Sequence, residues 1–351
     1  MKAKKTVFVG MSGGVDSSVG AALLKKQGYS VVGIFIKIEI GGDCSWRLER
    51  RAAFTAAAIL DIPLYTIDLS KEYEQAVVDY MLEQYRAGRT PNPDVMCNQQ
   101  IKFGAFYDWA ITHGAEYVAT GHYAKQSAGQ MLIPADKTKD QTYFLYAIDR
   151  EKLSQILFPL GDLKKEEVRK LAQKFGLANA DKPDSQGLCF VGDFDFKKFL
   201  REKIGVKKGM VKNEQGAVVG EHDGVYLFTI GERHGFTIHQ QASDEKPYYI
   251  VAKDLANNIL TVSTNPLSGS SDQVGTITLE NVNRLTVRDW ISHKLYQARL
   301  RHRGALTACQ VEEKTNGELV VTFTEPVTSP ASGQSVVIYD GEVCLGGGII
   351  R

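Results

Sequence analysis

The chain has 351 residues, a length that predicts two or three domains of ordinary size. Hydrophobic residues make up 43% and charged residues 24%, proportions that exclude a disordered, collagenous or coiled-coil chain. No run approaches the roughly 18 apolar residues that span a bilayer, and no signal peptide follows Met1, so we predict a cytoplasmic protein without a membrane partner. Lys plus Arg is 42 and Asp plus Glu is 41, a balance that by itself argues against a polynucleotide partner.

The first 120 residues alternate short apolar strands with amphipathic helices. This pattern is typical of parallel strands joined by crossover helices, so we predict an α/β fold with an open parallel sheet. The predicted strands are Thr6–Val9, Val31–Ile36, Leu64–Asp68 and Tyr117–Thr120. The predicted helices are Ser17–Gln27, Arg47–Leu60 and Ser70–Ala87, the last with Ser70 as N-cap and Gly88 as its stop.

The character of the sequence changes after residue 205. Helical patterns continue through Lys164–Phe175 and Phe194–Lys203, and short β-rich runs follow, among them Val225–Ile230, Tyr248–Ala252, Ile259–Ser263 and Val320–Thr324. A connector rich in Ser, Gly and Pro lies near residue 270. We therefore predict an α/β domain over residues 1–205, a small central β-rich domain over 206–270 and a C-terminal β-barrel over 271–351.

A glycine-rich loop, GMSGGVDSS, runs from the first strand directly into a helix. Glycines let backbone N–H groups approach a phosphate, serine hydroxyls add donors, and the helix N-terminus supplies partial positive charge. The loop is neither a GxxxxGK[ST] P-loop nor a GxGxxG dinucleotide motif. We therefore predict that this loop binds a phosphate group. The alternative is a plain Gly-Gly turn in which Asp16 or Ser17 is an ordinary N-cap.

The SGGVDS segment resembles the signature of the ATP pyrophosphatase group, which includes small-molecule synthetases and tRNA thiolases. Those enzymes split ATP between the α and β phosphates, adenylate a carbonyl oxygen and release pyrophosphate. The resemblance implies ATP as cofactor, with Mg²⁺ as a bridging counter-charge; no ligand set for the ion is readable.

The five cysteines form no CxxC pair and no zinc-like cluster. Cys309 and Cys344 lie in strand-like runs and read as buried structural thiols. Cys97, in TPNPDVMCN, and Cys189, in PDSQGLCFVG, lie in turn-rich segments that we interpret as loops, where functional residues concentrate. Cys44 stays undecided.

Both cysteine segments resemble the family of tRNA-specific 2-thiouridylases, and the likeness extends over nearly the whole chain, including the ATGHY, KDQTYFL and TIGER segments. The resemblance implies that Cys97 is the nucleophile and Cys189 the persulfide carrier. It further implies ATP contacts from Gly10, Met11, Ser12, Gly13, Gly14, Val15, Asp16, Ser17, Ile36 and Gly121. Two departures are Ile36, where Met is common, and a less acidic Glu39–Trp46 segment, which leaves open a role for Cys44 or a metal.

The implied chemistry is the replacement of a uridine C2 oxygen by sulfur. Adenylation makes the oxygen part of a leaving AMP; a persulfide on Cys189 then delivers sulfur, directly or as sulfide released by Cys97, and a Cys97–Cys189 disulfide remains. Asp94 either moves protons, orients the base, or is an Asx-turn residue after Pro93. The sulfur comes from a donor protein, a cysteine desulfurase or a relay protein.

Local charge differs from the total. Six cations face one anion between Arg284 and Arg303, and seven face one between Lys197 and Lys212, windows that suit either a solvated face or RNA. The resemblance implies that the partners are the tRNAs for Lys, Glu and Gln, which are thiolated at the wobble uridine. It implies base contacts from Asn92, Pro93 and Asp94, and other tRNA contacts from His122, Lys139, Asp140, Gln141, Arg301, His302 and Gln334. His122 by itself also reads as a structural residue at a strand end.

Two other functions remain open at this stage. A small-molecule synthetase of the same ATP pyrophosphatase group would not require Cys97 or Cys189. A nucleotide-sensing or RNA-binding protein would keep the glycine loop without turnover.

Overall fold

The computed structural model describes residues 4–40, 46–183, 196–239, 246–265, 273–287, 290–328 and 330–351. A five-stranded parallel sheet lies in its N-terminal part, with the strand order β3-β2-β1-β4-β7. The strands up to residue 160 are β1 (Thr6–Gly10), β2 (Ser30–Lys37), β3 (Leu64–Asp68), β4 (Tyr117–Ala119), β5 (Lys125–Ser127), β6 (Gln130–Leu132) and β7 (Ile156–Leu157). The predicted open parallel sheet is confirmed.

Helices cover both faces of this sheet, because alternate residues of β1 enter different cores. Val7 and Val9 pack with Val19 of the first helix, whereas Phe8 packs with Phe106 on the opposite face. The α-helices are α1 (Val15–Lys26), α2 (Trp46–Ile59), α3 (Ser70–Tyr73), α4 (Tyr80–Arg86), α5 (Pro93–Met96), α6 (Phe106–Thr112), α7 (Thr142–Leu145), α8 (Lys165–Lys174) and α9 (Phe196–Ile204). π-Helical stretches at Glu74–Asp79 and Cys97–Ala105 join α3 to α4 and α5 to α6, and a 3₁₀ turn spans Arg150–Gln155.

The predicted helix from Ser70 forms, but Ser70 is not its N-cap. Leu69 occupies that position, and the carboxylate of Asp68 accepts hydrogen bonds from the Ser70 N–H (3.0 Å) and hydroxyl (2.6 Å). Gly88 follows the end of α4 with a φ of +75°, which suits the predicted stop.

A second, mostly antiparallel sheet has the order β10-β9-β8-β12-β11. Its strands are β8 (Gly209–Asn213), β9 (Val218–His222), β10 (Thr237–Ile238), β11 (Tyr249–Asp254) and β12 (Ile259–Ser263). The predicted strand over Val225–Ile230 is wrong: Val225–Leu227 form a 3₁₀ turn. The Val225 N–H is bound by the Asn258 side chain at 3.0 Å, so it does not enter a strand ladder.

The C-terminal strands close into the predicted β-barrel, in the order β13-β16-β15-β14-β17-β18 with β18 paired back to β13. They are β13 (Gln273–Arg284), β14 (Tyr296–Arg299), β15 (Thr307–Glu313), β16 (Leu319–Thr328), β17 (Ser335–Asp340) and β18 (Val343–Ile350). The hairpin of β5 and β6, from the N-terminal part of the chain, extends this sheet through pairing of Met131 with Cys344. The barrel and the α/β part are therefore tied together by backbone as well as side chains.

The predicted division of the chain at residues 205 and 270 stays a prediction; part of the second connector lies outside the described residues. Among the described helices, none combines the length and apolar character needed to cross a membrane.

Candidate active site

The glycine loop leaves β1 at the carboxyl edge of the parallel sheet, where ligands bind in open α/β folds. The buried Met11 N–H donates to the Ile34 carbonyl of β2 at 2.8 Å, which fixes the start of the loop. Gly13 has a φ of +80°, and a Cβ there would lie 2.3 Å from the carbonyl oxygen of Glu49. Glycine is therefore required at this position both by the backbone conformation and by the space available.

Hydroxyl groups hold the loop against the first turn of α1. The Ser12 N–H donates to the Ser17 Oγ (3.2 Å), and the Ser17 and Ser18 hydroxyls donate to the Gly14 carbonyl (3.2 and 3.0 Å). Gly14 is the N-cap residue and no side chain caps the helix there. The first-turn amides are thus presented by a shaped loop without a capping side chain, the arrangement that binds phosphate at helix N-termini.

Two distant residues support the loop, and sequence reasoning missed both. The Asn179 amide donates to the Gly13 carbonyl and the Ser18 Oγ, each at 3.0 Å. The Lys165 ammonium binds both carboxylate oxygens of Asp16, at 2.7 and 2.8 Å. These contacts join residues more than 140 positions apart, and no local pattern marks either one.

Most of the predicted ATP contacts lie in or beside the glycine loop, and Ile36 lies apart from them in β2. Gly121, just after β4, approaches the loop so closely that a Cβ on it would lie 2.6 Å from the Ser17 nitrogen. Gly10 faces the same strand end, with Thr120 Cγ2 3.8 Å from its Cβ position. Ile36 is buried in the neighbouring strand β2, two residues beyond the carbonyl that binds Met11. Ile36 can therefore contact ATP through apolar packing or through its backbone. Either contact tolerates isoleucine where Met is common in the family.

His122 lies beside Gly121 and is buried. Its Nε2 is 3.4 Å from the Lys102 ammonium, and its Nδ1 is 2.7 Å from the Thr120 hydroxyl. An ammonium group only donates, so Nε2 is the acceptor and Nδ1 carries the ring proton. Burial, and next the Lys102 charge, hold the pKa of His122 well below its usual range. The ring is therefore neutral, and Lys102, which sequence reasoning did not single out, brings a cation close to the loop.

Cys97 does not lie on a loop, and that interpretation is wrong. The segment that reads as a proline-fixed turn is a helix start: Asn92 is the N-cap and accepts from the Val95 N–H (3.4 Å), with Pro93 as the first residue of α5. Proline is favoured at that position because its missing N–H is not needed there. Cys97 follows α5, begins the π-helical stretch, and is fully buried. Asn92 provides the local cap expected of an Asx residue, and Asp94 lies inside the first turn.

Loops from the central part of the chain and from the barrel meet at the segment that precedes Cys97. The Thr90 N–H donates to the Ser332 carbonyl of the barrel (2.8 Å), and the Gln334 side chain donates to the Thr90 carbonyl (2.8 Å). From the central part of the chain, the Thr229 hydroxyl lies 3.3 Å from that of Thr90. Gln334, a predicted tRNA contact, thus holds the chain in front of Asn92.

The side chains of Asp140 and Gln141 form hydrogen bonds or ion pairs within the protein. The Asp140 carboxylate accepts from the Thr142 N–H (2.9 Å) and forms a buried ion pair with Arg299 of the barrel, the two side chains being 2% and 10% exposed. Gln141 exchanges hydrogen bonds with the backbone of Tyr123. Asp140 therefore joins the start of α7 to the barrel, and Gln141 joins it to the segment after β4. Lys139, beside them, is half-buried.

His302 of the barrel lies next to the region of the α/β part around Cys97, which we call the cysteine end. Its ring lies 4.4 Å from that of Phe144, with an interplanar angle of 36°. Burial, then the Arg303 charge, lowers the pKa of His302, and the nearby Asp140 and Asp94 carboxylates oppose that shift. The predicted tRNA contacts Asp94, Asp140 and His302 are therefore neighbours, and Arg301 is exposed beside them.

The two basic windows are largely neutralised by carboxylates. Between residues 197 and 212, five of the cations form ion pairs: Lys197, Lys198, Arg201, Lys203 and Lys208. In the second window Arg284, Lys294 and Arg299 are paired. Among its described residues, Arg301 and Arg303 are the exposed cations without a carboxylate partner, so the charge counted along the sequence overstates the basic surface.

The cysteines separate into different environments. Cys309 and Cys344 are buried in β15 and β18, as predicted, and burial raises the pKa of each thiol to about 12, which makes both inert at neutral pH. Cys189 and Cys44 lie outside the described residues. Among the described residues, no group of three His, Cys, Asp or Glu side chains is placed to hold a metal ion.

Three domain models match consecutive parts of the chain. They are described as a tRNA methyl transferase HUP domain (residues 5–193), a tRNA methyl transferase PRC-barrel domain (197–264) and an aminomethyltransferase beta-barrel domain (275–350).

Similar curated proteins carry the name tRNA-specific 2-thiouridylase MnmA. The one from Lysinibacillus sphaericus is 42% identical over 353 residues, which cover 98% of this chain and 93% of the relative. The one from Streptococcus thermophilus is 44% identical over 362 residues, covering 99% and 95%. Among solved structures, the U34-tRNA thiolase NcsA from Methanococcus maripaludis aligns with 57% of this chain and 65% of that chain at a TM-score of 0.37 and 18% identity, values too low to support an argument.

Proposed function

The chain belongs to the family of tRNA-specific 2-thiouridylases, and we propose that it adenylates the C2 oxygen of a tRNA wobble uridine with ATP and replaces it with persulfide sulfur. It is a tRNA-uridine 2-sulfurtransferase that uses ATP. Transfer to the tRNAs for Lys, Glu and Gln, and a cytoplasmic location, are parts of the proposal.

One observation carries the proposal: an uncapped glycine loop at the edge of the parallel sheet and a buried cysteine, Cys97, packed on one face of that sheet occur in the same α/β part of the chain. The loop fits ATP, because the first-turn amides of α1 have no capping side chain. Gly13 and Gly121 fix its shape by letting the Glu49 carbonyl and the Ser17 backbone approach where a Cβ would collide. Binding the departing pyrophosphate there stabilises the charge that develops as the α–β bond breaks. Mg²⁺, which we propose as the counter-ion, would be held largely by the phosphates and water.

Lys165 and Lys102 supply positive charge around this loop. Lys165 is held by Asp16, so its position is fixed before substrate binds. Lys102 lies at 3.4 Å from a neutral His122, which cannot repel it. We assign to both the task of offsetting phosphate charge during adenylation, an effect that grows where water is excluded.

Sulfur transfer follows adenylation. The terminal sulfur of a Cys189 persulfide attacks C2 and AMP leaves; the Cys97 thiolate then attacks the Cys189 sulfur, which frees thiouridine and leaves a Cys97–Cys189 disulfide. In the second route Cys97 attacks the persulfide first, and the released hydrosulfide displaces AMP. Both routes consume the same sulfane sulfur and require a thiol reductant to restore the enzyme. The persulfide would come from a cysteine desulfurase or a relay protein.

Substitution of the two cysteines tests the mechanism. We expect Cys97→Ser and Cys189→Ser to lower 2-thiouridine formation by at least about a thousandfold, because a hydroxyl forms neither persulfide nor disulfide. Nucleoside mass spectrometry of unmodified tRNA incubated with ATP and a persulfide donor measures the product. Cys309→Ser, another buried thiol changed in the same way, is the control and should retain activity.

Two outcomes would contradict the proposal. Thiolation retained in both cysteine variants would rule out the persulfide mechanism. ATP-dependent pyrophosphate release stimulated by a small carboxylate, and not by tRNA, would favour the synthetase alternative.

A further inference from the structure

Phe144 is the residue of α7 that remains partly exposed. Tyr143 and Leu145 on either side of it are buried to about 1% or less, whereas Phe144 is half-buried. The Tyr143 hydroxyl donates to the Ser335 carbonyl at 2.9 Å, so the helix is anchored in the barrel. The backbone of Phe144 is therefore held in place by the anchored helix, while part of its ring is accessible to solvent.

The backbone of Phe144 is bound to the π-helical stretch that begins at Cys97. The Asn98 amide, next to Cys97, donates to the Phe144 carbonyl at 3.2 Å. Asn98 is 2% exposed, and its Oδ1 has no hydrogen-bond partner among the described residues. The amide of Asn98 therefore fixes the Phe144 backbone close to Cys97.

His302 covers part of the Phe144 ring at 4.4 Å, and Arg301 and Arg303, which flank His302, are exposed. Two aromatic rings beside exposed guanidinium groups form the combination that binds single-stranded RNA, where rings stack bases and cations meet phosphates. A paired helix offers no free base faces, so the occupant that fits is an unpaired nucleotide.

We propose that Phe144, with His302, is a stacking platform for an unpaired base of the tRNA loop that carries the target uridine, and that Phe144 thereby positions the uridine beside Cys97. The inference rests on the proposed function and extends it. Nothing in the implied contacts includes Phe144; its ring supplies a sequence-tolerant surface, and specificity is left to polar groups such as Asn92 and Asp94.

The test compares Phe144→Leu and Phe144→Tyr with the matched control Phe54→Leu. Leucine keeps apolar volume without a ring face, and tyrosine restores the ring. Phe54 is also a partly exposed phenylalanine, with the Arg50 guanidinium 4.8 Å from its ring centroid, but it lies on α2, outside the proposed site. We expect Phe144→Leu to raise the KM for tRNA about tenfold, with the KM for ATP unchanged, and Phe144→Tyr to recover most of the loss.

A second readout measures stacking directly. An anticodon-loop RNA with 2-aminopurine next to the target uridine should lose fluorescence on binding the native protein and keep most of it with Phe144→Leu. Equal KM and equal quenching in Phe144→Leu and the native protein would overturn the inference, as would failure of Phe144→Tyr to rescue. A native protein that makes no 2-thiouridine would instead overturn the proposed function.

Discussion

The two ends of the site are built in different ways. The glycine loop, which we propose binds phosphate, is a continuous strand, loop and helix from Gly10 to Ser18. Most of the contacts that shape it are made by glycines and serines within that stretch, with Asn179 and Lys165 as distant supports. The segment before Cys97 is held by loops from two other parts of the chain, since Thr90 contacts Ser332, Gln334 and Thr229. The glycine loop is thus built mainly by a local motif with two distant supports, whereas the segment before Cys97 is held by contacts from the barrel and the central part of the chain.

This difference has an energetic side. Asp140, two residues before α7, forms an ion pair with Arg299 of β14 with almost no exposure to solvent. Removing two charges from water is costly, and the pair is stable only while both partners are present. The cysteine end therefore depends on a buried contact that the phosphate loop does not use.

The largest effect is expected for Arg299→Met, which leaves Asp140 buried without its cation. We expect a loss of about 3–5 kcal/mol in the free energy of unfolding, measured by urea denaturation. Adding Asp140→Asn should restore much of that loss, because the amide still accepts from Thr142 and carries no charge.

Arg351→Met is the control for Arg299→Met. Arg351 pairs with Glu318, but its side chain is 67% exposed, so its loss should cost no more than about 1 kcal/mol. Similar losses for the two arginine variants would mean that the buried pair does not stabilise the junction, and the contrast between the two ends would fail.

Gly13→Ala is the corresponding change at the phosphate loop. A methyl group there meets the Glu49 carbonyl at 2.3 Å, and the loop must shift. We expect kcat/KM for ATP to fall about a hundredfold, since a displacement of about 1 Å has effects of that size. Steady-state pyrophosphate release at varied ATP measures it.

Gly28→Ala separates collision from backbone strain. Gly28 has a φ of +95° but no atom within 4 Å of its Cβ position, so this variant shares the strain and lacks the collision. If Gly28→Ala lowers kcat/KM for ATP as much as Gly13→Ala does, the shape of the loop is not what binds ATP.

What the sequence could predict follows the same division. Strand Leu64–Asp68 and the glycine loop depend on local pattern, and both form where predicted. Lys165 and Asn179 reach the loop from far along the chain and had no signal. Resemblance placed Asp140 and His302 at the tRNA end, but not the ion pair and ring contact that the fold gives them.

The errors have physical causes. The proline-rich segment before Cys97 contains turn residues, yet Asn92 and Pro93 are equally good at starting a helix, and tertiary packing decided between the two. Val225–Ile230 has strand composition, but Gly224, with a φ of +148°, and the Asn258 side chain fold its start into a 3₁₀ turn. The Asn258 side chain reaches Val225 from 33 positions away, so a local window of sequence does not show this contact.

The smallest effect is expected for Gln334→Leu, which removes the barrel's side-chain bond to Thr90. We expect about 1 kcal/mol less stability and a severalfold higher KM for tRNA, with the KM for ATP unchanged, because the bond holds only the cysteine end. Gln310→Leu is the control: it removes an equivalent bond within the barrel, to the His293 carbonyl at 3.1 Å. A rise in the KM for ATP in Gln334→Leu alone would show that the two ends are coupled through Thr90 and are not separately built.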